Sequence, residues 1–246
     1  MQLLKPDPRF TESRKAQKNF LLAMQIAFSV LALLWFILIT DQYLGLDLGR
    51  FGLRPRDAGG LLGILTAPLL HAGVEHLFSN SLPLIVSLTT ILYLYPNAAL
   101  RALPMIWLGS GLLAWFIGRP SMHIGASGFV YGVLAFVFVS GMIRRDMRSI
   151  AVSLLVWFLY GSMVWGILPI RPKMSWELHL SGAILGVAMA LLYRNWDRVP
   201  IKRYEWEDDD SVPDWYPDPE RDAKRLAEQE RDASTKDQPP GPPTIH

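Results

Sequence analysis

The sequence predicts an all-α polytopic membrane protein: a bundle of six transmembrane helices followed by a soluble C-terminal tail. Three observations predict it. Apolar residues make up 51% of the chain and charged residues 19%, but the two are segregated. Residues 19–196 hold most of the apolar content, whereas residues 204–246 hold 13 of the 22 acidic residues. Six apolar runs, near 19–40, 76–95, 98–118, 126–143, 149–168 and 176–195, approach the ~20 residues a helix needs to cross a bilayer. None of these runs alternates apolar and polar residues, as barrel strands do, so helices are the spanning structure that satisfies the backbone in lipid.

In order along the chain, residues 1–18 form a polar N-terminal segment. The first run does not read as a signal peptide, because its polar leader is long and no small-x-small site follows Ile39 and Thr40. Asp7 and Glu12 break the acid-poor pattern of a mitochondrial presequence. The connection over 41–75 is the longest. Its apolar stretch from Gly59 to Leu70 contains Gly60, Gly63 and Pro68, which predicts irregular or short helical structure at the interface. The other connections are short, so neighbouring spans pack antiparallel. Residues 197–246 form an acidic, Pro-rich tail, with Asp208, Asp209 and Asp210 followed by Pro213 and Pro217. Asp218 before Pro219 is a helix start, and 219–233 has the composition of a short polar helix. The stretch 238–246 is expected to be disordered. Without cysteine, disulfides and thiol chemistry are excluded.

Lys and Arg set the orientation. Placing both termini in the cytoplasm gives the inside Arg14, Lys15, Lys18, Arg101, Arg144, Arg145, Arg148, Arg194 and others. The outside then has only Arg50, Arg54, Arg56, Arg119, Arg171 and Lys173. A bacterial cytoplasmic membrane is the simplest location. In this orientation the second, fourth and sixth spans all begin at the outer face. His76 and Asn80 then lie at the start of the second span, Ser127 at the start of the fourth, and His179 at the start of the sixth. Three segments thus deliver polar groups to one depth, and intramembrane polar groups invite a functional reading.

The residue types fit acyl transfer. Ser127 sits between Gly125 and Gly128 at a helix start, where unpaired N–H groups and the positive end of the helix dipole suit a developing oxyanion. A serine hydroxyl needs a base, and His179 is the natural one. His76 and Asn80, four apart, share a helix face and can donate to the oxyanion beside the Ser127 N–H. Gly128 with Gly132, and Gly182 with Gly186, are small-residue pairs that let the two helices approach closely.

These residues together resemble the rhomboid family of intramembrane serine proteases. His71, His76 and Asn80 match H-x4-H-x3-N, Gly125, Ser127 and Gly128 match G-x-S-G, and His179, Gly182 and Gly186 match H-x2-G-x3-G. The resemblance covers roughly 19–195 and implies a rhomboid-like six-helix bundle. It implies a Ser127–His179 dyad, an oxyanion hole of His76, Asn80 and Ser127, and Tyr131 packed on the His179 ring. It also implies that the partners are single-span or polytopic membrane proteins whose helices are cleaved, with no cofactor and no metal. Nucleic acid is not an expected partner. The pattern departs from the family at Leu62 and Gly63, where a Trp-Arg pair is often found.

His71, His76, His123 and His179 are all on the outer side, but His71 and His76 are five apart, which does not fit a helical metal pair. A non-catalytic rhomboid-like binding protein should lack Ser127 or His179, and both are present. A transporter should carry intramembrane acids, whereas Glu75 and Glu177 sit at span ends. His71 reads as a structural brace and His123 as an exposed loop histidine. Glu177 is two residues before His179, about 200° around a helix, a poor third member of a triad.

Overall fold

The computed structural model describes residues 14–144, 146–170, 174–197 and 219–236. Among the described residues the regular structure is helical, apart from one isolated antiparallel bridge between Leu53 and His123. The chain divides into two compact units, residues 1–199 and 200–246.

The first unit is built on α1 (Arg14–Leu44), α3 (Val74–Leu94), α4 (Pro96–Ile117), α5 (Ser127–Arg144), α6 (Met147–Tyr160) and α7 (Trp176–Leu192). Five stretches are long and apolar enough to cross a membrane: α1, α3, α4, α5 and Met147–Ile167. The sixth core helix, α7, has 17 residues and packs along α5 and α4. Large apolar side chains such as Phe36, Phe78, Phe116 and Phe158 are exposed on the outward faces. So much bare apolar surface suits lipid and not water. Inside, Leu77, Leu84 and Ile91 of α3 meet Ile106 of α4 and Val130, Val133 and Phe136 of α5.

Two helices depart from the expected bounds. The first runs from Arg14 to Leu44, beyond 19–40 at both ends. The fifth run does not stay α-helical to 168. It ends as α6 at Tyr160 and continues as a 3-10 helix over Gly161–Ile167. Hydropathy is continuous across this change, so only Gly161 and Gly166 mark it.

The long connection forms 3-10 turns at Leu48–Phe51, Ala58–Gly60 and Ala67–Leu69, with one turn of helix, α2 (Gly63–Thr66), between the last two. It is pinned to α4 by indole donors: Trp107 Nε1 to Leu65 O at 3.1 Å and Trp115 Nε1 to Asp57 O at 3.0 Å. Gly63 lies against the backbone of Gly52 and Leu53, where a Cβ would collide. At this point of the loop, close backbone contact leaves no room for a side chain at Gly63, and Leu62 is exposed. Below it, Leu53, Ala67, Ala114 and Leu178 make a small second core.

At the opposite end, Asp197 caps α4. Its carboxylate accepts from the Asn97 and Ala98 N–H groups at 3.2 and 2.9 Å, which places a negative charge at a helix N-terminus. Arg144 donates to the Asp197 carbonyl at 2.8 Å, so the ends of α5 and α7 and the start of α4 are tied together.

In the second unit, α8 (Pro219–Lys236) occupies the charged stretch and runs past the expected end at 233. Asp218, the acidic linker and the Pro-rich end lie outside the described residues.

Candidate active site

The site begins with how closely α5 and α7 approach. A Cβ on Gly182 would fall on the Gly128 carbonyl oxygen, and one on Gly186 on that of Gly132. A Cβ on Gly128 would come to 3.0 Å from Leu178 O. The two backbones therefore touch over two turns, a separation that any larger residue forbids. Ser127 is the first residue of α5 and His179 lies in the first turn of α7, so this contact brings their side chains together.

His179 Nε2 is 2.7 Å from Ser127 Oγ. His179 Nδ1 is 2.9 Å from the carbonyl oxygen of Gly166. A carbonyl can only accept, so Nδ1 carries the proton and Nε2 presents its lone pair to the serine hydroxyl. The Tyr131 ring stacks on the imidazole at 4.1 Å with an interplanar angle of 5°. The Tyr131 hydroxyl donates to Met163 O at 2.8 Å. Both residues of the pair are buried, Ser127 at 9% and His179 at 5% exposure. A buried hydroxyl bonded to a neutral imidazole nitrogen, at the positive end of a helix, is the arrangement of an activated nucleophile.

The segment before Ser127 is held by the long connection. Gly125 N donates to Ala67 O at 2.9 Å, and Ala126 N donates to His71 Nε2 at 3.2 Å. Gly125 has φ +121°, a region that favours glycine, and a Cβ there would sit 2.6 Å from the His76 ring. So His76, at the start of α3, packs directly on the residue two before Ser127. Asn80 is buried one turn further along α3, and its amide nitrogen donates to His76 O at 3.1 Å. The His71 and His76 rings meet edge to face at 5.1 Å. Burial, and then the neighbouring His76, push His71 down to about 4. The His71 ring is therefore neutral near pH 7 and free to accept the Ala126 N–H. Among the described residues, no group of three or more His, Asp or Glu side chains could hold a metal ion.

The sequence model of the Rhomboid domain family matches residues 58–196, more than half of the chain. The chain belongs to the rhomboid family. Its five apolar spans and α7 make it a multi-pass membrane protein with the rhomboid-like bundle. Uncharacterized proteins of Mycobacterium bovis and Mycobacterium tuberculosis are 39% identical over 170 residues, covering 65% of this chain and 71% of theirs. One of Mycobacterium leprae is 35% identical over 171 residues, covering 66% of this chain and 68% of its own.

In this rhomboid the structure brings Ser127, His179, Tyr131, Gly128 and Gly182 into direct contact, with Gly125 and His76 against the start of α5. It adds a residue that sequence reasoning missed. Gly166 supplies the carbonyl that fixes the His179 tautomer, and its Cα faces Tyr131, where a Cβ would collide with the hydroxyl. The one sequence signal was a glycine inside an apolar run. The structure also corrects the reading of His123. It is not an exposed loop histidine but 1% exposed, because three segments close over it. Glu177 is also 1% exposed and turns away from the dyad to pair with Arg119.

Proposed function

We propose that this rhomboid is an intramembrane serine endopeptidase, which cleaves the transmembrane helices of other membrane proteins through a Ser127–His179 dyad. The observation that carries the reading is the 2.7 Å contact between Ser127 Oγ and the unprotonated Nε2 of His179, with Nδ1–H held by the Gly166 carbonyl.

The chemistry follows from the groups present. Ser127 Oγ attacks the peptide carbonyl carbon while Nε2 takes its proton. The negative charge on the carbonyl oxygen is met by the Ser127 N–H at the start of α5, by the His76 ring and by the Asn80 amide. Nε2–H then protonates the leaving amine, and an acyl-enzyme remains on Oγ. Water, deprotonated by the same nitrogen, hydrolyses it and restores the serine. In the resting protein Asn80 donates to its own helix, so its part in the oxyanion hole requires its amide to turn toward the substrate. An apolar cleft of about 150 Å³ opens beside Tyr131, lined by Leu134, Phe138, Trp157, Tyr160 and Val164. Its composition suits an apolar substrate segment rather than a charged one. The protein lies in the cytoplasmic membrane with both termini inside, so the dyad faces the outer leaflet.

The test is cleavage of a transmembrane reporter by the purified protein in detergent or liposomes. Ser127→Ala abolishes cleavage, and equal cleavage by this variant sinks the reading. His76→Ala and Asn80→Ala retain the fold and slow turnover by about 100-fold each, the cost of losing one oxyanion donor.

A further inference from the structure

A second polar cluster lies beside the dyad and has no part in the chemistry above. It contains Arg119, Ser121, His123, Ser175 and Glu177. His123 Nε2 is 3.1 Å from Arg119 O and 3.3 Å from Ser121 Oγ. The carbonyl requires a proton on Nε2, so Nδ1 is an acceptor. Ser175 Oγ lies 3.0 Å from Nδ1 and donates to it. Ser175 is the N-cap residue of α7, yet its side chain makes no capping bond to its own helix. Its hydroxyl is diverted to His123. Its carbonyl meanwhile accepts the N–H of Leu178 at 3.1 Å and of His179 at 3.3 Å.

The placement is paired. His123 is four residues before Ser127, and Ser175 is four residues before His179. A second tie runs parallel to the first. Glu177 Oε1 accepts the Arg119 N–H at 3.2 Å and pairs with Arg119 Nε at 3.1 Å. Arg119 Nη2 also donates to Met174 O. The backbone of His123 is itself fixed by reciprocal bonds with Leu53, both at 2.9 Å. The approach to the nucleophile and the start of the base helix are thus fastened to each other, and both are fastened to the long connection.

We propose that His123 and Ser175, supported by Arg119 and Glu177, are positioning residues that set the start of α7 and hence the place of the His179 ring relative to Ser127. This rests on the protease reading. The glycine contacts fix how far apart α5 and α7 lie. They do not fix how far α7 slides or turns along α5, and a dyad at 2.7 Å is sensitive to such movement. A shift of about 1 Å in a reacting pair can cost about 100-fold in rate. The Ser175 carbonyl, bonded to the His179 N–H, carries the constraint from His123 to the base.

The experiment uses the full-length protein in detergent. The rate of Ser127 labelling by a fluorophosphonate probe is measured together with kcat and KM on a transmembrane reporter. His123→Ala and Ser175→Ala are each expected to slow labelling and kcat by about tenfold or more, with KM within about twofold. Because both remove one shared contact, the double variant is no slower than the slower single variant. Leu84→Ala, a core change remote from the dyad, serves as the stability control and keeps kcat at an equal or larger loss of thermal midpoint. Labelling at the wild-type rate in either single variant overturns the proposal, as do losses that multiply in the double variant. A kcat loss no greater than that of the control at matched midpoint does the same. If His123→Ala does not fold, Ser175→Ala decides alone, since it removes one hydroxyl from a partly exposed helix start. Should the wild type not label at Ser127 at all, the protease reading falls and the positioning role falls with it. Should the wild type label while Ser175→Ala labels equally fast, only the positioning role falls.

Discussion

At His179 the two ring nitrogens face different partners, and that difference sets which of them can accept a proton. The partner that decides it, Gly166 O, is a backbone atom, so no residue type announces it in the sequence. The residues whose side chains the proposed chemistry uses are legible. Serine between glycines, histidine at a span start and the His76–Asn80 spacing each carry a chemical reason. His123 was misread for the same reason that Gly166 was missed. Its burial arises only when Leu53, the 119–126 segment and Ser175 converge, and local sequence holds no trace of that meeting. His71 offers a test at this scale, outside the spans. Its folded-state value is lowered from 6.5 to about 4. Between those values the unfolded chain takes up a proton that the folded protein refuses. The His71 contribution is therefore complete above about pH 6.5 and is lost as pH falls toward 4. In His71→Gln the amide oxygen can accept the Ala126 N–H without titrating. The thermal midpoint of this variant is expected to fall less steeply between pH 6.5 and 4 than that of the wild type, by a few degrees over the window. Parallel curves for the two proteins would remove His71 from the acid response.

Helices α5 and α7 form the element on which the site is built. Their glycines exchange side-chain packing for backbone contact, and the gain is distance: a serine and a histidine on separate spans meet with no third residue between them. This much was legible in the pairing of Gly128 with Gly132 and Gly182 with Gly186. The end of α6 was not, because an apolar run reads the same whether it is α-helical or 3-10. Yet that change is what delivers Gly166 to the imidazole. Gly182→Ala tests the element. Its Cβ falls on Gly128 O, which is backbone and has no rotamer to move away, so the helices must separate. A destabilisation of about 1–3 kcal/mol is expected from overpacking, together with loss of reporter cleavage. Gly109→Ala is the contrast, since the atoms nearest its Cβ, from 2.9 Å, belong to the flexible Leu185 side chain. It is expected to keep most activity. Full cleavage by Gly182→Ala would show that close approach of α5 and α7 is not what assembles the dyad.

For the whole molecule, the bundle has two chemically distinct ends. The site end, where α3, α5 and α7 begin, carries Arg50, Arg54, Arg56 and Arg119 among the described residues. Two of these pair with acids, Arg54 with Asp57 and Arg119 with Glu177. The other end carries Arg14, Lys15, Lys18, Arg101, Arg144, Arg148 and Arg194. Positive residues in short loops are retained in the cytoplasm, so the proposed orientation is the one that turns Ser127 and His179 toward the outside. Acids weigh little in that rule, so Lys and Arg alone set the expected orientation. Under the proposed protease function, a dyad in that orientation would take its hydrolytic water from the outer side and cut substrates near that leaflet. A C-terminal fusion to green fluorescent protein is expected to fluoresce in a bacterial host. A periplasm-dependent alkaline phosphatase fused at the same point is expected to stay inactive, and one inserted after Arg54 to be active. The reverse pattern would place Ser127 and His179 at the cytoplasmic leaflet and move the expected cut to the inner end of substrate helices.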